Sequence, residues 1–171
     1  MSNKKKILPS RPYLTNISNY NSIIKKIWKT KVVSNNGPIL KEFENKITKF
    51  FSLKYFSCTS SGTCALQIAI KSLNLKGEII TPAFGWIATV NAIKSQNCKP
   101  VFCDIEKDTL NIDTFKLEKL INTKTVAIMP VHTFGNPCNI EKIQKIAKKH
   151  KLKVIYDSAH ALGSKYRSEE R

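Results

Sequence analysis

One stretch near the end of the chain decides the fold class, and it reads Lys153-Val154-Ile155-Tyr156-Asp157-Ser158-Ala159-His160. Its apolar run ends at Asp157, and His160 follows three residues later. A buried parallel strand has this pattern when it carries an acidic side chain to the carboxyl edge of a sheet, where α/β proteins bind their ligands. The stretch therefore predicts an α/β fold with a binding site beside Asp157.

Short apolar runs alternate with helical patterns upstream of this stretch. The predicted strands cover 55–58, 78–81, 100–104, 125–130 and 152–157, and the predicted helices cover 64–73, 86–95, 114–121 and 140–150. Repeated alternation of strands and helices predicts a mainly parallel sheet with right-handed crossovers.

The first third of the chain has a different pattern. Residues 1–16 show no periodicity, and apolar side chains recur at helical spacing over 20–28. Pro38 can open a second helix, whose apolar face runs over 39–51. We therefore predict an N-terminal arm with helices over 1–54 and an α/β domain over 55–171.

Composition points to a cytoplasmic globular protein. The chain has 171 residues, of which 42% are hydrophobic. No apolar run approaches the roughly 20 residues that span a bilayer, and the N-terminus lacks the apolar segment of a signal peptide. We expect no membrane partner.

The net charge of +17 suggests an anionic partner, but the lysines are spread along the whole chain. Arginine occurs only at Arg11, Arg167 and Arg171, whereas specific readers of nucleic acid rely on arginine for bidentate contacts. This distribution favours a solvated lysine-rich surface and no specific nucleic-acid partner. A phosphorylated or nucleotide-linked substrate would also suit the charge.

The five cysteines form no Cys-x-x-Cys pair. In a cytoplasmic protein this pattern predicts reduced, buried thiols, with neither disulfides nor a metal site.

Two segments that follow predicted strands could bind a ligand. Gly62 and Thr63, in Ser60-Ser61-Gly62-Thr63, lie at the start of a predicted helix, where free N–H groups and the helix dipole favour a phosphate. Ser and Thr are also ordinary helix caps, so the segment alone leaves both interpretations open. Trp86 lies where an aromatic ring could stack on a planar cofactor, although a core aromatic is the alternative.

Polar side chains at two further strand ends complete the candidate site. A carboxylate such as Asp157 is costly at the end of an apolar strand unless it is paired. It could bond a cofactor's ring nitrogen, cap a helix or form a structural ion pair. His160 could donate to the same cofactor or lie on the surface, and His132 could face the same pocket.

The ordered set of segments resembles the DegT/DnrJ/StrS family of sugar aminotransferases, which are fold-type I pyridoxal-phosphate (PLP) enzymes. The matching segments are Arg11-Pro12-Tyr13-Leu14, Asn36-Gly37-Pro38, Ser61-Gly62-Thr63-Cys64-Ala65-Leu66, Ile80-Thr81-Pro82-Ala83-Phe84, Ala88-Thr89-Val90-Asn91-Ala92-Ile93, Lys99-Pro100-Val101-Phe102-Cys103-Asp104-Ile105, Asn111-Ile112-Asp113, Pro130-Val131-His132 and Asp157-Ser158-Ala159-His160-Ala161-Leu162-Gly163. The resemblance implies the three-layer α/β large domain of PLP-dependent transferases, preceded by a helical arm.

The resemblance also implies roles for individual residues. Gly62 and Thr63 match the phosphate-binding loop, and Trp86 matches the aromatic residue that stacks on the cofactor ring. Asp157 matches the partner of the pyridinium nitrogen, and His160 matches the residue that contacts the ring oxygen. Asn36 and Gly37 match a substrate-side loop.

The implied reaction is transfer of an amino group, typically from glutamate, to a nucleotide-linked keto sugar in amino-sugar or polysaccharide biosynthesis. Family members form homodimers and continue into a segment with the Schiff-base lysine and then a smaller domain. That lysine is expected beyond Arg171, so the chain is expected to be an N-terminal fragment without catalytic residues and inactive alone. Two alternatives stay open: a PLP-dependent sugar dehydratase of the same family, and a non-catalytic basic α/β binding module.

Overall fold

The computed structural model describes residues 12–166 and a short strand at 169–170. The chain divides into two compact units, Met1–Cys58 and Thr59–Arg171. The boundary lies four residues beyond residue 54, where the sequence pattern placed it. None of the helices in the described part is long and apolar enough to cross a membrane.

The first unit contains two amphipathic helices, α1 (Ile17–Thr30) and α2 (Pro38–Phe50). The side chain of Asn16 caps α1 by accepting a hydrogen bond from the backbone N–H of Ser18 at 2.8 Å. Pro38 occupies the first turn of α2, where its missing N–H costs nothing. Neither helix contains a buried residue, although both have an apolar face. The two predicted helices of this region are confirmed.

The predicted strand at 55–58 is wrong, because these residues lie in irregular backbone outside the sheet. A strand needs a neighbouring strand to accept its N–H groups. Here the backbone N–H of Cys58 donates instead to the carboxylate of Glu44 in α2, at 2.8 Å. The segment therefore joins the helical unit.

The second unit is built on a parallel sheet of four strands: β1 (Glu78–Pro82), β2 (Lys99–Cys103), β3 (Thr125–Ile128) and β4 (Lys153–Val154). Their order is β2-β1-β3-β4, and all three neighbouring pairs are parallel. The pairing of β3 with β4 continues beyond the regular strands, because the N–H of Asp157 donates to Pro130 at 2.9 Å and the N–H of His132 donates to Asp157 at 3.0 Å. Asp157 therefore lies at the carboxyl edge of the sheet, as predicted.

Helices cover both faces of this sheet. One face carries α3 (Gly62–Ser72) and α4 (Ile87–Ser95). The other carries α5 (Thr114–Leu117), which continues as a 3-10 turn at Glu118–Leu120, and α6 (Ile140–Lys149). A second 3-10 turn spans Thr133–Gly135, and a short antiparallel pair joins β5 (Lys165–Tyr166) to β6 (Glu169–Glu170).

Alternation along the strands creates two separate cores. Ile79 packs with side chains of α3 and α4, whereas Ile80, the next residue, packs with side chains of α5 and α6. In β3, Ala127 and Ile128 divide in the same way. The three-layer arrangement that the family resemblance implied is therefore confirmed.

Candidate functional site

Asp157 carries the charge of the candidate site, and its side chain points toward α4. Ile155 packs in the core on the α3–α4 side, and Asp157 lies two residues further on, so both side chains leave the backbone on the same face. The side chain is only 8% exposed. Its Oδ2 accepts a hydrogen bond from the hydroxyl of Thr89 at 2.6 Å, and its Oδ1 accepts one from the N–H of Ala159 at 3.2 Å.

Thr89 is a functional candidate to which the sequence analysis gave no role. It lies in the first turn of α4 and is 3% exposed, so its hydroxyl is buried beside the carboxylate. The only sequence signal was a hydroxyl at an inward position of an otherwise apolar helix face. That signal identifies a partner only once the fold has placed α4 over the end of β4.

Trp86 stands between two small cavities at this edge of the sheet. It immediately precedes α4, and its side chain is 72% exposed. One cavity, of about 160 Å³, is lined by Phe84, Gly85, Trp86, Val131, Thr133, Phe134 and His160. The other, of about 180 Å³, is lined by Pro82, Ala83, Gly85, Trp86, Ile87, Thr89, Val90, Phe102 and Val131. The structure thus brings together Trp86, His160 and the Thr89–Asp157 pair.

The ring of His160 lies beside an aromatic neighbour. Its ring lies nearly parallel to that of Phe134, with 6.1 Å between the centroids and 6° between the planes. Phe134 also contacts Phe84 edge to face at 6.2 Å. One wall of the smaller cavity is therefore aromatic, with the His160 imidazole at its end.

Gly62 and Thr63 form the first turn of α3. The side chain of Ser61 accepts the N–H of Cys64 at 3.2 Å, whereas the N–H groups of Gly62 and Thr63 have no acceptor within the helix. A hydrogen bond from the side chain of Ser60, and secondarily one from Ser61, lowers the pKa of the Cys64 thiol, whereas burial opposes that shift. Because α3 runs toward the start of β1, its first turn lies toward the carboxyl edge, where α4 also begins.

His132 does not line either cavity at Trp86. Its ring stacks on Tyr156 at 5.0 Å, and its Nδ1 accepts a hydrogen bond from the N–H of Cys138 at 3.1 Å. Tyr156 and Cys138 belong to the core on the α5–α6 side. Burial lowers the pKa of the His132 imidazole, and the charge of Asp157 opposes that shift. The substrate-side role of His132 stays a prediction.

Asn36 and Gly37 belong to the first unit, where the structure gives them a local role. Asn36 has φ of 59° and Gly37 is the N-cap residue of α2, so together they form the turn that Pro38 follows. Gly37 is buried, and the side chain of Val32 lies 3.4 Å from the position that a Cβ would take there. Their substrate-side role also stays a prediction.

Comparison with known proteins identifies the family. The sequence profile of the DegT/DnrJ/EryC1/StrS aminotransferase family matches residues 16–170. The chain belongs to this family. The resemblance proposed from the sequence is thereby confirmed.

Relatives of known activity and structure agree with this assignment. The chain is 42% identical over 165 residues to a dTDP-4-amino-4,6-dideoxy-D-glucose transaminase of Escherichia coli, covering 96% of this chain and 44% of the relative. The chain therefore spans less than half the length of that relative.

Two solved structures share the fold. The structure of DesI in the presence of its TDP-sugar product matches with a TM-score of 0.90 and 29% identity, over 94% of this chain and 41% of the other. A GDP-4-keto-6-deoxymannose-3-dehydratase with a trapped PLP-glutamate geminal diamine matches with a TM-score of 0.78 and 28% identity, over 87% and 40%.

Proposed function

We propose that this chain forms the cofactor-recognition part of a PLP-dependent aminotransferase. The observation that carries the proposal is the carboxylate of Asp157. It is buried, and in the described part of the chain no lysine or arginine forms an ion pair with it. A buried charge without a counter-ion is costly, so the site is suited to a ligand that brings a positive group.

The residues present fit PLP at three points. A protonated pyridine nitrogen is the positive group that Asp157 lacks, and the hydroxyl of Thr89 holds the carboxylate in place through a hydrogen bond. The first turn of α3 offers the N–H groups of Gly62 and Thr63 to a phosphate. Nothing lies within 4 Å of the position that a Cβ would take on Gly62, so a ligand has open space there.

The remaining contacts would orient the ring. When bound, PLP supplies a conjugated ring that accepts electron density from the reacting carbon. Asp157 would hold the proton on the ring nitrogen, and this proton is what keeps the ring electron-poor. Trp86 would cover one face of the ring, and His160 would donate to its oxygen. These residues would bind and orient the ring, and Phe84 and Phe134 would add an aromatic wall beside it.

The proposed substrates follow from the relatives. A nucleotide-linked keto sugar would accept the amino group, and an amino acid, for which glutamate is the candidate, would donate it. The high positive charge of the chain suits such phosphorylated substrates. Assembly as a homodimer and a cytoplasmic location stay predictions.

The described residues bind and orient the cofactor but offer no reactive amine, since no lysine of 12–166 lines either cavity at Trp86. We therefore expect the 171-residue chain to show no transaminase turnover with glutamate. Turnover above a no-enzyme control that disappears in Asp157→Asn would contradict this.

The dehydratase alternative is supported by the similarity to the GDP-4-keto-6-deoxymannose-3-dehydratase. Both reactions need the same recognition of the ring nitrogen and phosphate, so the described residues suit either. A basic binding module would account for the charge but not for a buried carboxylate without a counter-ion.

Binding of pyridoxamine 5′-phosphate to the 171-residue chain tests the proposal. This amine form of the cofactor forms no imine with surface lysines, so calorimetry reports the specific site. We expect Asp157→Asn to weaken binding, and Asp108→Asn, the same change at an exposed loop position, to leave it unchanged. Equal affinities for the two variants would overturn the proposed function.

A further inference from the structure

The loop Thr133–Gly135 contains a strained aromatic residue with no evident role in folding. Phe134 has φ of 52° and ψ of 26°, a left-handed conformation that is unfavourable for a bulky residue. Its side chain is 73% exposed, so burial in a core does not compensate for that conformation. Strain at an exposed aromatic residue beside a cavity is a reason to look for a local function.

The loop packs closely against the His160 segment and is joined to it by one hydrogen bond. At Gly135, with φ of 83°, an added Cβ would lie 3.0 Å from the carbonyl oxygen of His160. The hydroxyl of Ser164 donates to the carbonyl of Gly135 at 2.9 Å. The close approach places the ring of Phe134 parallel to that of His160 at a distance typical of attractive aromatic pairs.

Asn111 holds the same loop from inside the domain. Its side chain is 2% exposed. Its Oδ1 accepts the N–H of Thr133 at 3.0 Å, and its Nδ2 donates to the carbonyl of Asn136 at 3.0 Å. One buried amide therefore fastens both ends of the loop that carries Phe134.

From this arrangement we propose that Phe134 is a positioning residue: it fixes the ring of His160 at the edge of the cavity, and Asn111 fastens the loop that presents it. The loop conformation is thus set by buried hydrogen bonds and delivers an exposed ring to the imidazole. The consequence for cofactor binding rests on the proposed function, whereas the orientation of His160 does not.

Side-chain signals of His160 in the 171-residue chain provide the direct test, and they are assigned with His160→Gln, which leaves the signals of His132 and His150. Loss of a neighbouring ring current shifts resonances without any reorientation, so the signals to compare are the three-bond Hα–Hβ couplings of His160, which report its χ1 rotamer. We expect Phe134→Leu to move these couplings toward the average of a freely rotating side chain, and Phe134→Tyr, which restores a ring, to return them close to their original values. Phe115→Leu is the matched control, because Phe115 is also 73% exposed but lies on α5.

Titration with pyridoxamine 5′-phosphate separates this inference from the proposed function. We expect Phe134→Leu to weaken its binding about two- to tenfold, the range measured for aromatic pairs, and Phe134→Tyr to bind like the parent. Unmoved His160 signals in Phe134→Leu would overturn the positioning role. If the His160 signals move but neither the parent nor any variant binds the cofactor, the positioning role stands and the proposed function fails.

A variant of Asn111 provides a second, independent route. Asn111→Leu removes both hydrogen bonds to the loop, and we expect it to move the His160 signals in the same direction as Phe134→Leu. If it does not fold, Phe134→Leu still decides the question, since Phe134 is exposed. A folded Asn111→Leu variant with unchanged His160 signals would contradict the proposed fastening.

Discussion

Asp157 and His132 make an informative comparison, because their backbones pair at the same edge of the sheet but their side chains lie on opposite faces. Each is 8% exposed. His132 has its Nδ1 bonded to a backbone N–H and its ring stacked on Tyr156. Asp157 accepts two hydrogen bonds but has no cationic partner among the described lysines and arginines. The two side chains are therefore equally buried but differ in the kind of partners they have.

The difference shows how to distinguish a structural polar residue from a binding residue. A neutral imidazole that has a hydrogen-bond partner and a stacking partner within the core stabilises the fold and requires no ligand. A buried carboxylate with no cationic partner in the fold suits a ligand that brings a positive group. We therefore propose that polar groups on the α5–α6 face of the sheet edge stabilise the fold and that those on the α3–α4 face bind the cofactor, and variants can test this division.

The largest effect is expected for a core residue on the α5–α6 face. Ile143 in α6 is fully buried, so Ile143→Ala should lower the free energy of unfolding by about 2–5 kcal/mol. Chemical denaturation measures this. Under conditions in which Ile143→Ala remains folded, it should bind pyridoxamine 5′-phosphate like the parent. Reduced affinity under these conditions would show that the two faces are coupled.

The next effect is expected for the charge on the α3–α4 face. Asp157→Asn keeps the shape of the side chain but removes the charge, and a hydrogen bond to a charged group contributes about 1.5–3 kcal/mol. Affinity for pyridoxamine 5′-phosphate should therefore fall about ten- to a hundredfold. His160→Asn, which removes one orienting hydrogen bond of about 0.5–1.5 kcal/mol, should cost less. Calorimetric titrations that find equal losses would argue against the assigned roles.

Much of the sheet and the position of Asp157 were already predictable from local sequence patterns. The alternation of strands and helices identified the four sheet strands, and the end of the apolar run identified Asp157. The face of His132 was not predictable in this way. His132 lies three residues after Met129, hence on the opposite face of the strand, but only the fold shows that Met129 packs on the α3–α4 side.

Other features depend on contacts that no local pattern encodes. The run 55–58 has the composition of a strand, but Glu44, fourteen residues away, accepts its N–H. The Thr89–Asp157 bond joins residues 68 positions apart. The left-handed conformation of Phe134 has no sequence signal beyond the glycine that follows it. In each case the decisive partner is distant in sequence.

A smaller effect is expected at Trp86, which tests whether binding and stability separate on the α3–α4 face. Because the side chain is 72% exposed, Trp86→Leu should change the free energy of unfolding by no more than about 0.5 kcal/mol. Loss of ring stacking should weaken pyridoxamine 5′-phosphate binding about two- to tenfold. Trp28→Leu, at a similarly exposed position in α1, is the control for loss of an indole. A large loss of stability in Trp86→Leu would assign the residue to the core.

The smallest effect concerns the pH dependence that His132 contributes. Burial holds its pKa below the ordinary value in the folded state, so the unfolded chain binds a proton more readily. Its contribution to stability is therefore complete above a pH of about 6.5 and is lost as the pH falls toward the folded pKa. The loss between pH 7.5 and 6 should be below about 1 kcal/mol.

In His132→Gln, whose amide oxygen can still accept the N–H of Cys138, denaturation curves should lose this part of the pH dependence. His150→Gln should retain it, because the imidazole of His150 bonds to Glu118 rather than lying in the core. An unchanged slope in His132→Gln would mean that the α5–α6 face tolerates a charged imidazole, and the contrast with Asp157 would then rest on geometry alone.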